Sequence, residues 1–244
     1  MSEAFYRTMR ALGSPFKYRC LGLENVRTPG PAIYVSNHVD STGPIQVMIS
    51  VPLRFHPWVI AEMTDLRRAP PYLYREFVER ELHLRGRLGM AVSTVLSAIA
   101  VALMRGLRCV PVDRNEGRFM PPLRRSLALL KEGRNLLVFP ESNVGPVDPE
   151  TRMRPFLCGF LMLCAMFREA TGRDLPLYPM AVSVRQRAIL IGRRIFFDPP
   201  SKRSREVRRF GQQLQERVRE LWRSLQAGTE ACLKKMAPPK SRLQ

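Results

Sequence analysis

A chain of 244 residues is long enough for one domain with a large core, and its 45% hydrophobic and 25% charged shares are ordinary for a globular protein. Forty Lys and Arg against 21 Asp and Glu give a net charge of +19, and only six of the forty are Lys (17, 131, 202, 234, 235 and 240). That field attracts polyanions, either an anionic membrane face or nucleic acid, unless it reflects only a compositional bias toward Arg. The five cysteines (Cys20, Cys109, Cys158, Cys164 and Cys232) and three histidines have no metal-ligand spacing, so no zinc site is expected and reduced thiols in a cytosolic setting are the simpler account.

Residues 2–13 read as a short amphipathic helix, with Phe5, Met9 and Leu12 at helical spacing, ended by Gly13-Ser14-Pro15. Met1 to Leu23 has no long apolar core with a small-residue cleavage site, so no signal peptide is expected. A strand is expected around Tyr18–Leu23, a turn at Pro29-Gly30-Pro31, and a short buried strand over Ala32–Ser36 that delivers Asn37-His38 at its C-terminal end. Gly43-Pro44 opens a helix to about Ser50, and Trp58–Ala61 is another candidate strand. Residues 64–84 are rich in Arg and aromatics, and Pro70-Pro71 is expected to break the run.

Leu88–Met104 carries no charge over 17 residues and is flanked by Arg87 and Arg105. It lies at the short edge of a bilayer span, and with Ser93, Thr94, Ser97 and small Ala and Gly it reads as a buried or monotopic helix rather than a span. Next come a strand over Arg108–Val112, a helix over 121–132, a strand over Asn135–Phe139 and a helix over 155–170. Strands over Leu177–Val184 and Ala188–Ile195 complete the run. Alternating strands and helices predict a single α/β domain, with a mixed, mostly parallel sheet flanked by helices. The last long helix, Lys202–Leu225, sets Val207, Phe210, Leu214, Val218, Leu221 and Leu225 on one stripe amid seven Arg. Such a helix either binds an anionic membrane or docks its stripe on the core. The expected division is an N-terminal helix and lead-in strand (1–30), an α/β domain (31–200), the basic amphipathic helix (201–237) and a tail (238–244).

Chemistry-bearing residues fall at strand ends. His38 follows a buried strand, where a histidine can serve as a general base or simply as a structural residue. Asp40 is its nearest carboxylate in sequence and reaches it only in a tight turn. Arg114 leaves the C-terminal end of a strand with Arg118 in the same loop; it suits a phosphate or an ion pair with Asp113 or Glu116. Glu141, after Leu137-Val138-Phe139-Pro140, puts a carboxylate at the same rim or forms a turn. Leu175–Val182, with Pro176 and Pro179, reads as an edge strand or a pocket wall.

The order of these pieces over roughly residues 30–200 resembles the four blocks of the phospholipid/glycerol acyltransferase family (PlsC-like, lysophosphatidic acid acyltransferase). The pieces are Asn37-His38 after a strand, Gly106-x-x-x-Val110-x-x-x-Arg114, Phe139-Pro140-Glu141-Ser142, and a strand bearing Pro179. The resemblance implies a glycerolipid-acyltransferase-like fold with His38 as catalytic base. It further implies Asn37, Arg114, Glu141 and Ser142 on the acceptor side, while Asp40, the nearest carboxylate in sequence, could take the orienting role of the family's acid. It implies acyl transfer from acyl-CoA or acyl-carrier protein, as co-substrate with no cofactor, to a lysophospholipid or glycerol-phosphate hydroxyl. It places the protein on the cytoplasmic side of an anionic membrane, peripheral or monotopic.

Three departures stand out. Gly43 occupies the place of the family's Asp, Ser142-Asn143 that of Gly-Thr, and Val144 that of an Arg, for which Arg152 or Arg154 could substitute. The stretch between the first and second blocks is also longer than in compact members. A catalytically impaired lipid-binding relative is therefore the alternative. A nucleic-acid-binding protein is a third reading, but no zinc-finger spacing, RNP-type strand or helix-turn-helix pattern supports it.

Overall fold

The computed structural model describes residues 3–27, 30–39, 42–113, 120–197 and 204–228. The strands are β1 (Arg19–Leu21), β2 (Ile33–Ser36), β3 (Phe55–Ile60), β4 (Val110–Val112), β5 (Asn135–Val138), β6 (Pro176–Ser183), β7 (Ala188–Ile191) and β8 (Ile195–Phe196). The helices are α1 (Glu3–Leu12), α2 (Thr42–Ser50), α3 (Ala69–Leu73), α4 (Gly86–Gly106), α5 (Met120–Lys131), α6 (Met162–Thr171) and α7 (Ser204–Gln226). Among the described residues the strands form one sheet in the order β1-β7-β6-β2-β5-β3-β4, with β8 also on β6. Every pairing is parallel except β6–β7 and β6–β8. This is the α/β, mixed and mostly parallel sheet that the sequence pattern predicts.

The central strands are apolar on both faces because both faces are covered. On β2, Ile33 and Val35 join Leu136, Val138 and Leu177 under α5, α6 and Leu214 of α7. Tyr34 points the other way, stacked on Tyr178 at 4.9 Å and edge-on to Phe55 at 4.9 Å. That second face also takes Val47 and Met48 of α2 and, partly buried, Leu103 and Met104 at the end of α4. Val218, Leu221 and Leu225 of α7 close a third cluster on Ala181, Ala188 and Leu190. The stripe of α7 is therefore docked on the sheet, which decides between the two expectations for that helix.

Several boundaries differ from the sequence expectations for identifiable reasons. Pro70 and Pro71 do not break a run but sit in the first turn of α3, where a missing N–H costs nothing. The helix expected from residue 155 begins only at Met162, after a 3-10 turn over Gly159–Leu161, because Phe156 is bridged to Glu141. The Pro-bearing strand β6 is interior rather than an edge. Pro176 is its first residue, and Pro179 lies where the antiparallel partner changes from β8 (Pro176 and Leu177) to β7 (from Met180), so neither proline breaks a ladder there.

Candidate active site

Three of the four blocks meet at the C-terminal rim of the sheet. Beyond β2, Asn37 is buried and its side chain continues the ladder. Its Nδ2 donates to the Val182 carbonyl (3.1 Å), and its Oδ1 accepts the Val182 N–H (2.8 Å). Expected at the acceptor, Asn37 instead has both ends of its amide engaged by β6, and so fixes the direction in which the next residue leaves the sheet.

That residue is His38. It is exposed, and its ring meets the Phe139 ring edge-on at 5.5 Å. Its backbone N–H donates to Glu141 Oε1 at 2.7 Å. The other oxygen, Oε2, accepts the Arg154 N–H at 2.9 Å. One carboxylate thus joins the first block to the third and to a returning loop. Burial raises the pKa of Glu141, while the two N–H bonds and the Arg154 and Arg219 guanidiniums oppose that shift.

The returning loop is held from several sides. Leu157 N–H donates to Pro140 O (2.7 Å) and Ser142 N–H to Pro155 O (2.9 Å). Ser142 Oγ accepts the Val144 N–H (3.1 Å), so this expected substrate contact also closes a turn. From α7, buried Gln215 accepts the Phe156 N–H (3.2 Å) and donates to Arg154 O (3.1 Å). Arg154 Nη1 donates to Gly145 O (2.8 Å). Of the two arginines that could stand in for the missing one, Arg154 is the one beside Glu141. Asp148 caps the far turn, and its pKa is lowered chiefly by the Thr151 N–H.

Two expected residues, Asp40 and Arg114, lie outside the described residues, as does Arg118. The other acids near the rim, Glu62 and Asp113, share Arg68, whose Nη2 is 2.9 Å from Glu62 Oε1 and 3.4 Å from Asp113 Oδ2. Sequence reasoning missed Arg68 and Gln215. The signal for Gln215 is a polar residue flanking an apolar helix stripe, between Leu214 and Val218. Among the described residues no group of three or more His, Cys, Asp or Glu could hold a metal. Four cysteines are free thiols, and burial raises the pKa of each, to about 11 for Cys20 and about 12 for Cys109 and Cys164. None is an activated nucleophile.

A family model described as Acyltransferase matches residues 77–183, which spans the second, third and fourth blocks. Over that stretch the chain is similar to the acyltransferase family. The fold agrees: the crystal structure of the 1-acyl-sn-glycerophosphate (LPA) acyltransferase PlsC from Thermotoga maritima superposes with a TM-score of 0.52. The two chains are 16% identical, and the match covers 88% of this chain and 79% of that one. No curated protein matches in sequence. The acyltransferase fold thus carries His38 at the rim where its chemistry is expected, with Glu141 bonded to the backbone of that same residue.

Proposed function

We propose that this acyltransferase moves a fatty acyl group from acyl-CoA or acyl-carrier protein to the hydroxyl of a lysophospholipid or glycerol phosphate. The observation that carries the reading is the Glu141 carboxylate, which binds the backbone of His38 and of Arg154 at once and so assembles the rim. The His38 imidazole removes the proton from the acceptor hydroxyl as its oxygen attacks the thioester carbonyl. The tetrahedral adduct collapses, the C–S bond breaks, and the leaving thiolate takes the proton from the imidazolium. Asp40 is the acid proposed to steady that imidazolium. Arg114, with Arg154 beside Glu141, supplies the charge for the acceptor phosphate.

The impaired-relative reading has one feature in its favour, Gly43 in place of an acid. Gly43 opens α2 with its N–H on Val39 O (2.8 Å), and a Cβ there would meet Val39 Cβ at 3.4 Å, an ordinary contact. The backbone there therefore admits a side chain's Cβ. The test is acyl transfer to lysophosphatidic acid by the full chain, wild type beside His38→Ala and Gly43→Asp. Removing the base should lower the rate about 10²–10⁴-fold. Gly43→Asp should change the wild-type rate little if Asp40 already serves. No transfer by wild type, recovered in Gly43→Asp, establishes the impaired relative instead.

A further inference from the structure

The longest segment between the first two blocks holds a helix built inside out. In α4, Gly89, Ser93, Ser97 and Val101 recur every four residues and face the protein. Ser93 Oγ donates to Pro70 O at 2.7 Å. Gly89 approaches so closely that a Cβ there would lie 2.5 Å from the Leu84 carbonyl oxygen. Three large apolar side chains point outward: Leu88 is 65% exposed, Val95 63% and Ile99 62%. Only 22% of the apolar stretch is buried. A water-soluble helix does the reverse. Exposed Leu66 and Leu82 lie in the preceding segment, which carries Arg67, Arg68, Arg75 and Arg80 against Glu76, Glu79 and Glu81, with Arg80 paired to Glu76 and Arg85 to Glu79. Arg85, Arg87 and Arg105 bracket the helix.

We infer that the outward face of α4 is a monotopic docking surface for an anionic lipid leaflet. By length and composition the helix could cross a membrane: its 21 residues extend about 31 Å, against a hydrocarbon core of about 30 Å. But its inner face is pinned along two turns, by Ser93 to Pro70 of α3 and by Gly89 against Leu84 and Tyr74, so it lies along the surface. Its outer face meets acyl chains, and the flanking arginines reach lipid phosphates. Charge decides between a leaflet and a second copy of the chain. Two copies at +19 each repel, and their Arg-bracketed faces would meet like to like, whereas an anionic leaflet complements them. The segment joins β3 to β4, and it packs on the residues that follow the C-terminal end of β3. Docking there brings the rim that carries His38 toward the leaflet.

The test is co-flotation of the full chain with phosphatidylcholine vesicles with and without phosphatidylglycerol, in the absence of any acyl donor or acceptor. Binding is thus read independently of acyl transfer. Wild type should float with the anionic vesicles. Val95→Asp/Ile99→Asp should weaken binding by roughly ten-fold or more, since two apolar side chains lose their burial. Val95→Trp should strengthen it. Phe196→Asp, on an exposed apolar side chain of β8, which pairs with β6 and not with β3 or β4, should leave it unchanged. Both Asp variants are at exposed positions and should keep the wild-type circular dichroism. Equal loss in Phe196→Asp, full binding by Val95→Asp/Ile99→Asp, or a wild-type dimer that binds no vesicles and is split by that pair would each overturn the inference.

Discussion

Two regions of this protein are equally apolar in sequence and opposite in structure. In the centre of the sheet, β2, β5 and the first half of β6 are buried on both faces, and every apolar side chain meets another from the same chain. In α4 Gly89, Ser93 and Ser97 take inner positions, with Val101 the one large apolar side chain among them, while Leu88, Val95 and Ile99 are left outside. The contrast teaches that an uncharged run reports a need for burial without saying what supplies it. In the sheet the rest of the fold supplies it. In α4 the inner face is chosen for close approach, Gly89 above all, and nothing in the chain covers the outer side chains Leu88, Val95 and Ile99 among the described residues.

The comparison makes its strongest demand on stability. Leu136→Ala, fully buried between β2 and β3, should destabilise by about 2–5 kcal/mol, whereas Ile99→Ala should stay within about 0.5 kcal/mol of wild type in urea unfolding without lipid. An Ile99→Ala loss as large as that of Leu136→Ala would break the contrast, because α4 would then be a core helix. A smaller effect is expected where the sheet builds the site. Glu141→Gln keeps one oxygen acceptor and turns an NH₂ toward the other N–H, at His38 or Arg154. Removing a buried charge works in the opposite direction, so the net loss should be about 1–2 kcal/mol. The same change should speed exchange of the His38 amide proton. Unchanged exchange would mean that the carboxylate does not hold the rim.

The sequence made legible those features that depend on neighbours in the chain. The apolar run before Asn37-His38 and the one before Pro140-Glu141 read correctly as buried strands, because four or five apolar residues ending in a polar block have few other uses in an α/β fold. The order of the blocks located the rim. What distant contacts decide was not legible. Two prolines made β6 read as an edge, since no local pattern shows that its antiparallel partner changes at Pro179. The stripe of α7 fitted a membrane and a core equally well, and only the sheet beneath it chose. Gln215 reaches the loop at Arg154 and Phe156 from about sixty residues away. The backbone bonds of Asn37 to β6 and of Ser142 within its own turn were not legible either, because the sequence does not pair those groups.

The finest test lies where the two regions join. His56, buried on β3, has Nδ1 3.0 Å from the Leu107 carbonyl, just where α4 ends. A carbonyl only accepts, so Nδ1 carries the proton and donates. Burial lowers the His56 pKa below its ordinary 6.5, and the bond to Leu107 only partly opposes that shift. The unfolded chain therefore binds this proton more readily than the folded one. Stability is highest above the unfolded value and is lost as pH falls below about 6.5 toward the lower folded value. The melting temperature of wild type should decline between about pH 7 and 5 more steeply than that of His56→Asn, whose amide can still donate but does not titrate. Hydrogen exchange in the last turn of α4 should rise over the same interval in wild type alone. Parallel pH profiles for the two proteins would show that the joint between sheet and α4 is held by packing of Leu103, Met104 and Leu107, and not by this bond.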